Sequence, residues 1–207
     1  MQSKSTTVTT LALLATGFVA GHAYAQDNNE ARARVGGRAL EAYISEQAVA
    51  AQYIRDIDTD KLGALEGRGG FLYNKDDDLV LTGDVLGLIG GREAQSKEGL
   101  HFRAGTRMYA AWLDEEDEDI FSVGIGGEAQ YTFGDRRKYG VVLSAFYAPD
   151  LFTFGHTDHI IDASLRFQAE LAPGTELFIG GRSLKFDTDL GNRQLDDNLM
   201  VGVRYAF

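Results

Sequence analysis

The sequence predicts an all-β chain: an antiparallel, transmembrane, up-and-down β-barrel of about ten strands, with eight or twelve as the alternatives. Three observations lead there. From Asp197 to Phe207 the chain alternates: Leu199, Val201, Val203, Tyr205 and Phe207 are apolar, Asn198, Gly202, Arg204 and Ala206 are polar or small, and Met200 is the exception. Two successive segments, Leu100–Trp112 and Phe121–Phe133, alternate over about 13 residues each, well beyond the usual strand length of about 5–6. No apolar stretch approaches the roughly 20 residues that a spanning helix needs.

The ends and the composition set the frame. Lys4, the apolar run Leu11 to Ala20 and the A-x-A site Ala23-Tyr24-Ala25 form a secretory signal peptide, cut before Gln26. The expected organisation is signal peptide 1–25, periplasmic lead-in 26–37 and barrel 38–207. Five alternating apolar positions would also suit the edge of a soluble sandwich, so the rest of the chain has to decide. Cysteine is absent, which removes disulfides and thiolate chemistry and leaves a large core or a closed barrel as the source of stability. Two prolines against 25 glycines suit a sheet with many tight turns. The net charge of −11 becomes one unit more negative once Lys4 leaves with the signal, which argues against nucleic acid as a partner.

In order, Leu40, Ala42 and Ile44 alternate with Glu41, Tyr43 and Ser45, and a turn near Glu46-Gln47 leads to a second strand through Val49, Ala51 and Tyr53. Asp56 to Gly63 reads as a loop. Leu65 to Tyr73 is a strand with Gly67 and Gly69 on one face and Glu66 and Arg68 on the other. Asn74 to Asp78 makes a tight acidic turn. Leu79, Leu81, Gly83, Val85, Gly87 and Ile89 then alternate with Thr82 and Asp84, although Val80, Leu86 and Leu88 blur the pattern. Gly90 to Gly99 is a polar connection.

The long fifth strand sets Leu100, Phe102, Ala104, Met108, Ala110 and Trp112 against His101, Arg103, Arg107 and Tyr109. After the acidic loop Asp114 to Asp119, Phe121, Val123, Ile125, Ala129, Tyr131 and Phe133 oppose Ser122, Gly124, Gly126, Glu128, Gln130 and Thr132. A turn over Gly134 to Lys138 leads to the strand Tyr139–Ala148, and Pro149 to Asp158 is a longer loop. His159, Ile161, Ala163, Leu165, Phe167, Ala169 and Leu171 face away from Asp162, Ser164, Arg166, Gln168 and Glu170. Ala172-Pro173-Gly174 turns into Glu176–Phe186, Asp187 to Asp196 is polar, and the closing strand follows. With the chain end in the periplasm, the C-terminal half has short inner turns and longer outer loops, the asymmetry expected of an outer-membrane barrel. Trp112, Phe121, Tyr131, Phe133, Tyr139, Tyr205 and Phe207 fall near strand ends, where amphipathic rings favour a membrane interface.

Tyr147-Ala148-Pro149-Asp150, Phe154-Gly155 with His159, Gly180-Gly181-Arg182 and the ending Val201-Gly202-Val203-Arg204-Tyr205-Ala206-Phe207 resemble the YfaZ family of predicted Gram-negative outer-membrane proteins. Gly126-Gly127-Glu128 and Gly70-Phe71-Leu72-Tyr73-Asn74 extend the resemblance over most of the mature chain. Where many members carry Gly-Tyr-Arg near the ninth strand, this chain has Gly180-Gly181-Arg182. The resemblance implies a barrel in the cell outer membrane, and no agreed activity comes with it. The aromatic ending, through Leu199, Val201, Val203, Tyr205 and Phe207, also resembles the insertion signal of such barrels.

Glu66, Arg68, Asp84, Arg103, Arg107, Glu128, Asp162, Arg166, Glu170, Arg182 and Arg204 share the polar face. A basic residue facing lipid at midplane costs about 2–4 kcal/mol, so alternation puts these charges in the lumen, where neighbouring strands can pair them. The expectation is a charge-filled lumen serving a structural barrel or a narrow, porin-like solute channel, with no enzymatic activity. The alternative is a barrel hydrolase resembling the omptin proteases, using Asp76, Asp77 and Asp78 with His156, Asp158 and His159 for general-base attack by water. Aspartates in turns usually bond their own backbone. A metal at His156 and His159 is disfavoured because an i, i+3 pair on a strand points to opposite faces. No cofactor or metal is expected. The expected partners are outer-membrane lipid, lipopolysaccharide and the barrel-assembly machinery acting on a monomer.

Overall fold

Strict alternation of apolar and small or polar residues commits each segment to one register, because a slip by one residue would reverse every side chain. The computed structural model, which describes residues 37–59, 63–89, 99–113, 118–134, 138–155, 157–188 and 191–207, turns that alternation into strands. They are β1 (Arg38–Ser45), β2 (Ala48–Thr59), β3 (Gly63–Asn74), β4 (Leu79–Leu88), β5 (Leu100–Leu113), β6 (Glu118–Phe133), β7 (Tyr139–Ala148), β8 (Thr153–Phe154), β9 (Thr157–Ala172), β10 (Thr175–Thr188) and β11 (Gly191–Ala206). The signal peptide, most of the lead-in, the connection at 90–98 and His156 lie outside the described residues.

Ten long strands close into one antiparallel ring. Each pairs with its neighbours in chain order, β5 meets β6, β7 meets β9, and the two-residue β8 pairs only with the outer end of β6, at Phe121↔Phe154. The ring closes where β1 meets β11, with Leu40 opposite Tyr205 and Ala39 opposite Ala206. Closure pairs the first strand with the last and so removes the two free edges that an open sheet would leave.

The outside is apolar. Every one of the ten strands presents large hydrophobic side chains outward, among them Ile44, Tyr53, Phe71, Val85, Met108, Ile125, Leu143, Leu165, Ile179 and Val201. Leu199, Val203, Tyr205 and Phe207 are exposed on the same surface, whereas Met200, the break in the alternation, is buried on the inner face. Towards the chain-terminal end, rings stack along the wall: Tyr131 on Phe133, Tyr139 on Phe167, and Tyr205 on Phe207.

Several boundaries differ from the sequence reading, among them the loop read from Pro149 to Asp158, which holds β8 and the start of β9 at Thr157. The segment read as a loop from Asp56 to Gly63 is mostly strand: β2 continues to Thr59 and β3 begins at Gly63, because cross-strand pairing from Asp56↔Glu66 to Thr59↔Gly63 carries the polar residues. Likewise β10 and β11 extend through most of Asp187–Asp196, pairing out to Thr188↔Gly191. There a bulge between Leu184 and Lys185 turns two consecutive residues, Leu195 and Asp196, inward. Finally, β6 starts at Glu118, inside the segment read as an acidic loop.

The lumen is layered rather than uniformly polar. In the half away from Phe207, Leu72, Val80, Tyr109, Leu113, Ile120, Ile160, Leu184, Phe186 and Leu195 pack into one buried apolar cluster. Val80 and Leu86, which blur the alternation of β4, do so because both point inward and are fully buried. The apolar plug is inside the barrel, and the charges lie on its inner side.

Candidate functional site

The inner wall makes room for long side chains by using glycine. A Cβ at Gly126 would sit 2.1 Å from the Ala145 carbonyl oxygen, and one at Gly180 would sit 2.3 Å from that of Leu165. The backbone therefore bends closely at these points, and neighbouring side chains lie over them. Phe146 faces Gly126 across the β6–β7 pair, and Arg107 stacks on the Phe146 ring at 3.9 Å from its centroid. Phe178 lies over Gly202 in the same way, with Arg166 at 4.9 Å from its centroid. The pairing is glycine, then aromatic ring, then guanidinium.

Ion pairs cross the lumen in three groups. In the first, Arg68 on β3 donates from Nε to Glu66 Oε1 at 2.5 Å and from Nη1 to Glu128 Oε2 at 3.0 Å, and Arg103 donates to Glu128 Oε1 at 2.8 Å. In the second, Arg107 grips both oxygens of Asp84, at 2.8 and 2.7 Å, and reaches Asp162 at 2.6 Å. Arg182 donates to both oxygens of Asp162, at 3.0 and 2.9 Å, and to the Tyr43 hydroxyl at 2.6 Å, which in turn donates to Asp196 at 3.2 Å. In the third, Arg166 on β9 donates to Glu41 on β1 at 2.6 Å, and Gln52 donates to the same Glu41 oxygen at 2.7 Å.

These contacts skip strands. Glu128 on β6 lies beyond β4 and β5 from Arg68, and Glu41 on β1 lies beyond β10 and β11 from Arg166. Arg68 and Glu128 form a bidentate pair, Arg166 and Glu41 a single bond, and such charge-assisted contacts fix guanidinium geometry and tie distant strands together. Among the ion pairs lies a cavity of about 70 Å³, bordered by Glu41, Arg68, Arg107, Asp162, Arg166 and Arg182.

Of the residues singled out from sequence, Glu66, Arg68, Asp84, Arg103, Arg107, Glu128, Asp162, Arg166 and Arg182 meet in these groups. Glu170 and Arg204 lie on the inner face near the chain-terminal end and are only half-buried. Glu41, Tyr43, Gln52 and Asp196 are further members. Glu41 and Tyr43 sit on the polar side of the β1 alternation, so their inward direction is legible there. Asp196 keeps the inward phase of Asn198 and Arg204 but falls in the segment read as a polar connection, and the bulge lies just beyond it, at Leu195.

A further ion pair lies at the end of the barrel away from Phe207. Arg193 on β11 donates to Asp78, a fully buried carboxylate, at 3.0 Å, and Asn74 Nδ2 donates to the same oxygen at 2.9 Å. Asn74 also shapes the β3–β4 turn, its Oδ1 accepting from the Asp76 and Asp78 amides at 2.9 and 3.0 Å. Asp77 takes the left-handed conformation, with φ 64°, and accepts from the Tyr73 hydroxyl. The acidic turn is thus built into the barrel mouth. His159 faces outward beside Asp187, 3.6 Å away, and next to Tyr147. Among the described residues no three His, Asp or Glu side chains converge to hold a metal ion.

Comparison with solved structures finds a likeness to the outer membrane channel DcaP of Acinetobacter baumannii, at TM-score 0.41 and 10% identity, covering 81% of this chain and 54% of the channel. The chain thus spans about half the length of that protein. A weaker likeness is to a chain described under "Asymmetric conductivity of engineered proteins", at TM-score 0.20 and 9% identity, covering 83% of this chain and 98% of that one. No curated protein sequence matches significantly. The barrel is established by the chain's own strand pairings rather than by these distant likenesses. The model of one family, described as YfaZ precursor, matches residues 23–207, nearly the whole chain, and the protein belongs to that family.

Proposed function

We propose that the protein is an integral outer-membrane barrel with a structural role, its lumen held shut by its own side chains. One observation carries this reading: large apolar side chains cover the outside of all ten strands while buried ion pairs cross the inside. A contiguous apolar surface of this extent is unsuited to water, and a hydrocarbon layer is the solvent that accepts it. The end carrying Phe207 lies towards the periplasm, and the Asp78–Arg193 pair faces outward. Lipid and lipopolysaccharide cover the belt of a monomer that the barrel-assembly machinery inserts.

The arrangement favours a closed wall over a conduit. The central cavity of about 70 Å³ is far below the roughly 300 Å³ of a small-ligand pocket, and the apolar plug separates it from the outer mouth. The paired charges serve to join opposite strands, which a ten-stranded barrel is narrow enough to allow.

Outer-membrane extraction followed by gel electrophoresis with and without boiling tests the barrel. A folded barrel migrates faster unheated, and a mature protein that stays in the aqueous fraction would refute the reading. Planar-bilayer recording of the same preparation tests closure. The expected result is a flat baseline, and regular conductance steps would replace the structural role with a channel.

A further inference from the structure

Two arginines interrupt the apolar outer wall near the Phe207 end. On β1, Arg38 shares the outward phase of Leu40 and Ile44, and on β2, Arg55 shares that of Tyr53 and Ile57. Both are exposed, and they are cross-strand partners, Arg38↔Arg55, next to the outward pair Leu40↔Tyr53. Among the described residues neither guanidinium has an ion pair. At the opposite end of the outer wall, by contrast, basic side chains have acidic partners. There His159 lies 3.6 Å from Asp187, and Lys185 lies 3.8 Å from Asp197.

Like charges set directly opposite each other on neighbouring strands repel. An anion placed between the two guanidiniums reverses the sign of that interaction. The height of the pair on the wall fits a lipid headgroup. A basic residue on the lipid face is costly at midplane and tolerated near the interface, and aromatic rings mark that level. Here the Phe207 amide donates to the Arg38 carbonyl at 2.8 Å, Tyr205 faces Leu40, and the Tyr205 and Phe207 rings stack.

The wall beside the pair is bare. Arg55 faces Gly67 on β3, and one outward step nearer the middle of the barrel Gly69 faces Gly83 on β4. A Cβ at Gly69 would meet no atom within 4 Å, so an acyl chain has room to lie along the wall there. A phospholipid joins both chemistries, because phosphate oxygens fit the guanidinium fork and its tails fit an apolar wall.

We propose that Arg38 and Arg55 form a binding site for one anionic phospholipid, its phosphate held between the two guanidiniums and an acyl chain over Gly69. The site rests on the membrane-barrel reading above, with the Phe207 end in the periplasmic leaflet.

The test uses the mature protein refolded in detergent micelles, its folding checked by heat-modifiable mobility. Native mass spectrometry counts retained lipid during titration with phosphatidylglycerol and with phosphatidylcholine of the same chain length. The expected result is one retained phosphatidylglycerol, preferred at least about tenfold over phosphatidylcholine. Arg38→Gln combined with Arg55→Gln should bring that preference close to unity while the mobility shift persists. Lys138→Gln, which removes an exposed charge from the same end of the barrel, should leave the preference as in the parent. Gly69→Leu, which fills the bare strip and spares both arginines, should weaken retention several-fold.

A folded parent that retains both lipids equally, or a double variant that keeps the preference, would overturn the site. Displacement of the lipid by inorganic phosphate at equal concentration would reveal a bare anion site and overturn the lipid assignment. Retention unaffected by Gly69→Leu would overturn the placement of the acyl chain. A parent without the mobility shift would refute the barrel reading, and the site with it.

Discussion

Arg107 and Asp162 join opposite parts of the wall: Arg107 Nη1 on β5 lies 2.6 Å from Asp162 Oδ2 on β9, with β6 and β7 between them in the ring. Asp162 also receives both Nε and Nη2 of Arg182. One carboxylate thus serves two buried guanidiniums.

Replacing that carboxylate is expected to be expensive. Asp162→Asn leaves Arg107 and Arg182 without their shared counter-charge, and breaking a buried pair from one side costs about 3–5 kcal/mol. Urea titration of the refolded protein, read by heat-modifiable mobility, should place the Asp162→Asn midpoint well below that of the parent. An unchanged midpoint would mean that the lumen charges are solvated rather than paired.

The outer surface should resist charge at mid-height. Val201 is exposed between Ile44 and Ile179 on the neighbouring strands. Val201→Lys should destabilise the inserted barrel by about 2–4 kcal/mol and lower its yield in outer-membrane fractions. Full recovery of the variant in the membrane would contradict a lipid-facing surface at this position.

Two glycines should behave oppositely. Gly126→Ala places a Cβ against the Ala145 carbonyl and the Phe146 ring, so strain of about 1–3 kcal/mol is expected. Gly69→Ala meets nothing within 4 Å and should change stability by no more than about 0.5 kcal/mol. Comparing the two unfolding midpoints checks the close inner approach, and equal values would rule it out.

The outward His159–Asp187 pair should matter little. At 3.6 Å and with both side chains about one-third exposed or more, it is expected to contribute less than about 1 kcal/mol. His159→Ala should keep the mobility shift and the unfolding midpoint of the parent. A protease assay on the parent and this variant addresses the hydrolase alternative: peptide cleavage lost in His159→Ala would revive it, and cleavage by neither is the expected outcome.

How much could be read in advance varied from strand to strand. β5 and β6 were legible because alternation there is strict over their central stretches, and side-chain direction on a strand is a local property. β4 was less legible, since Val80 and Leu86 break the apolar-out rule. They do so because the lumen of a small barrel must be filled: Val80 joins the apolar plug, and Leu86 is buried at the level of Glu66, its cross-strand partner. The extended arms of β10 and β11 were missed because Asp187, Asn192 and Asp196 look like loop residues, while pairing along the hairpin holds them as strand. The inner charges could be placed in the lumen from sequence, but not joined to one another.

Alternation by itself determined which side chains of the closing strand face out, from Leu199 to Phe207, and which arginines and carboxylates turn in, because the period-two pleat acts within each strand. The tertiary structure alone decided that Arg166 meets Glu41, that Arg107 meets Asp162, that Asp196 joins Tyr43, and that a bulge turns Leu195 inward. Those contacts depend on the stagger of ten strands around a closed ring and on where glycine lets the wall bend inward. Both are properties of the whole barrel rather than of any segment.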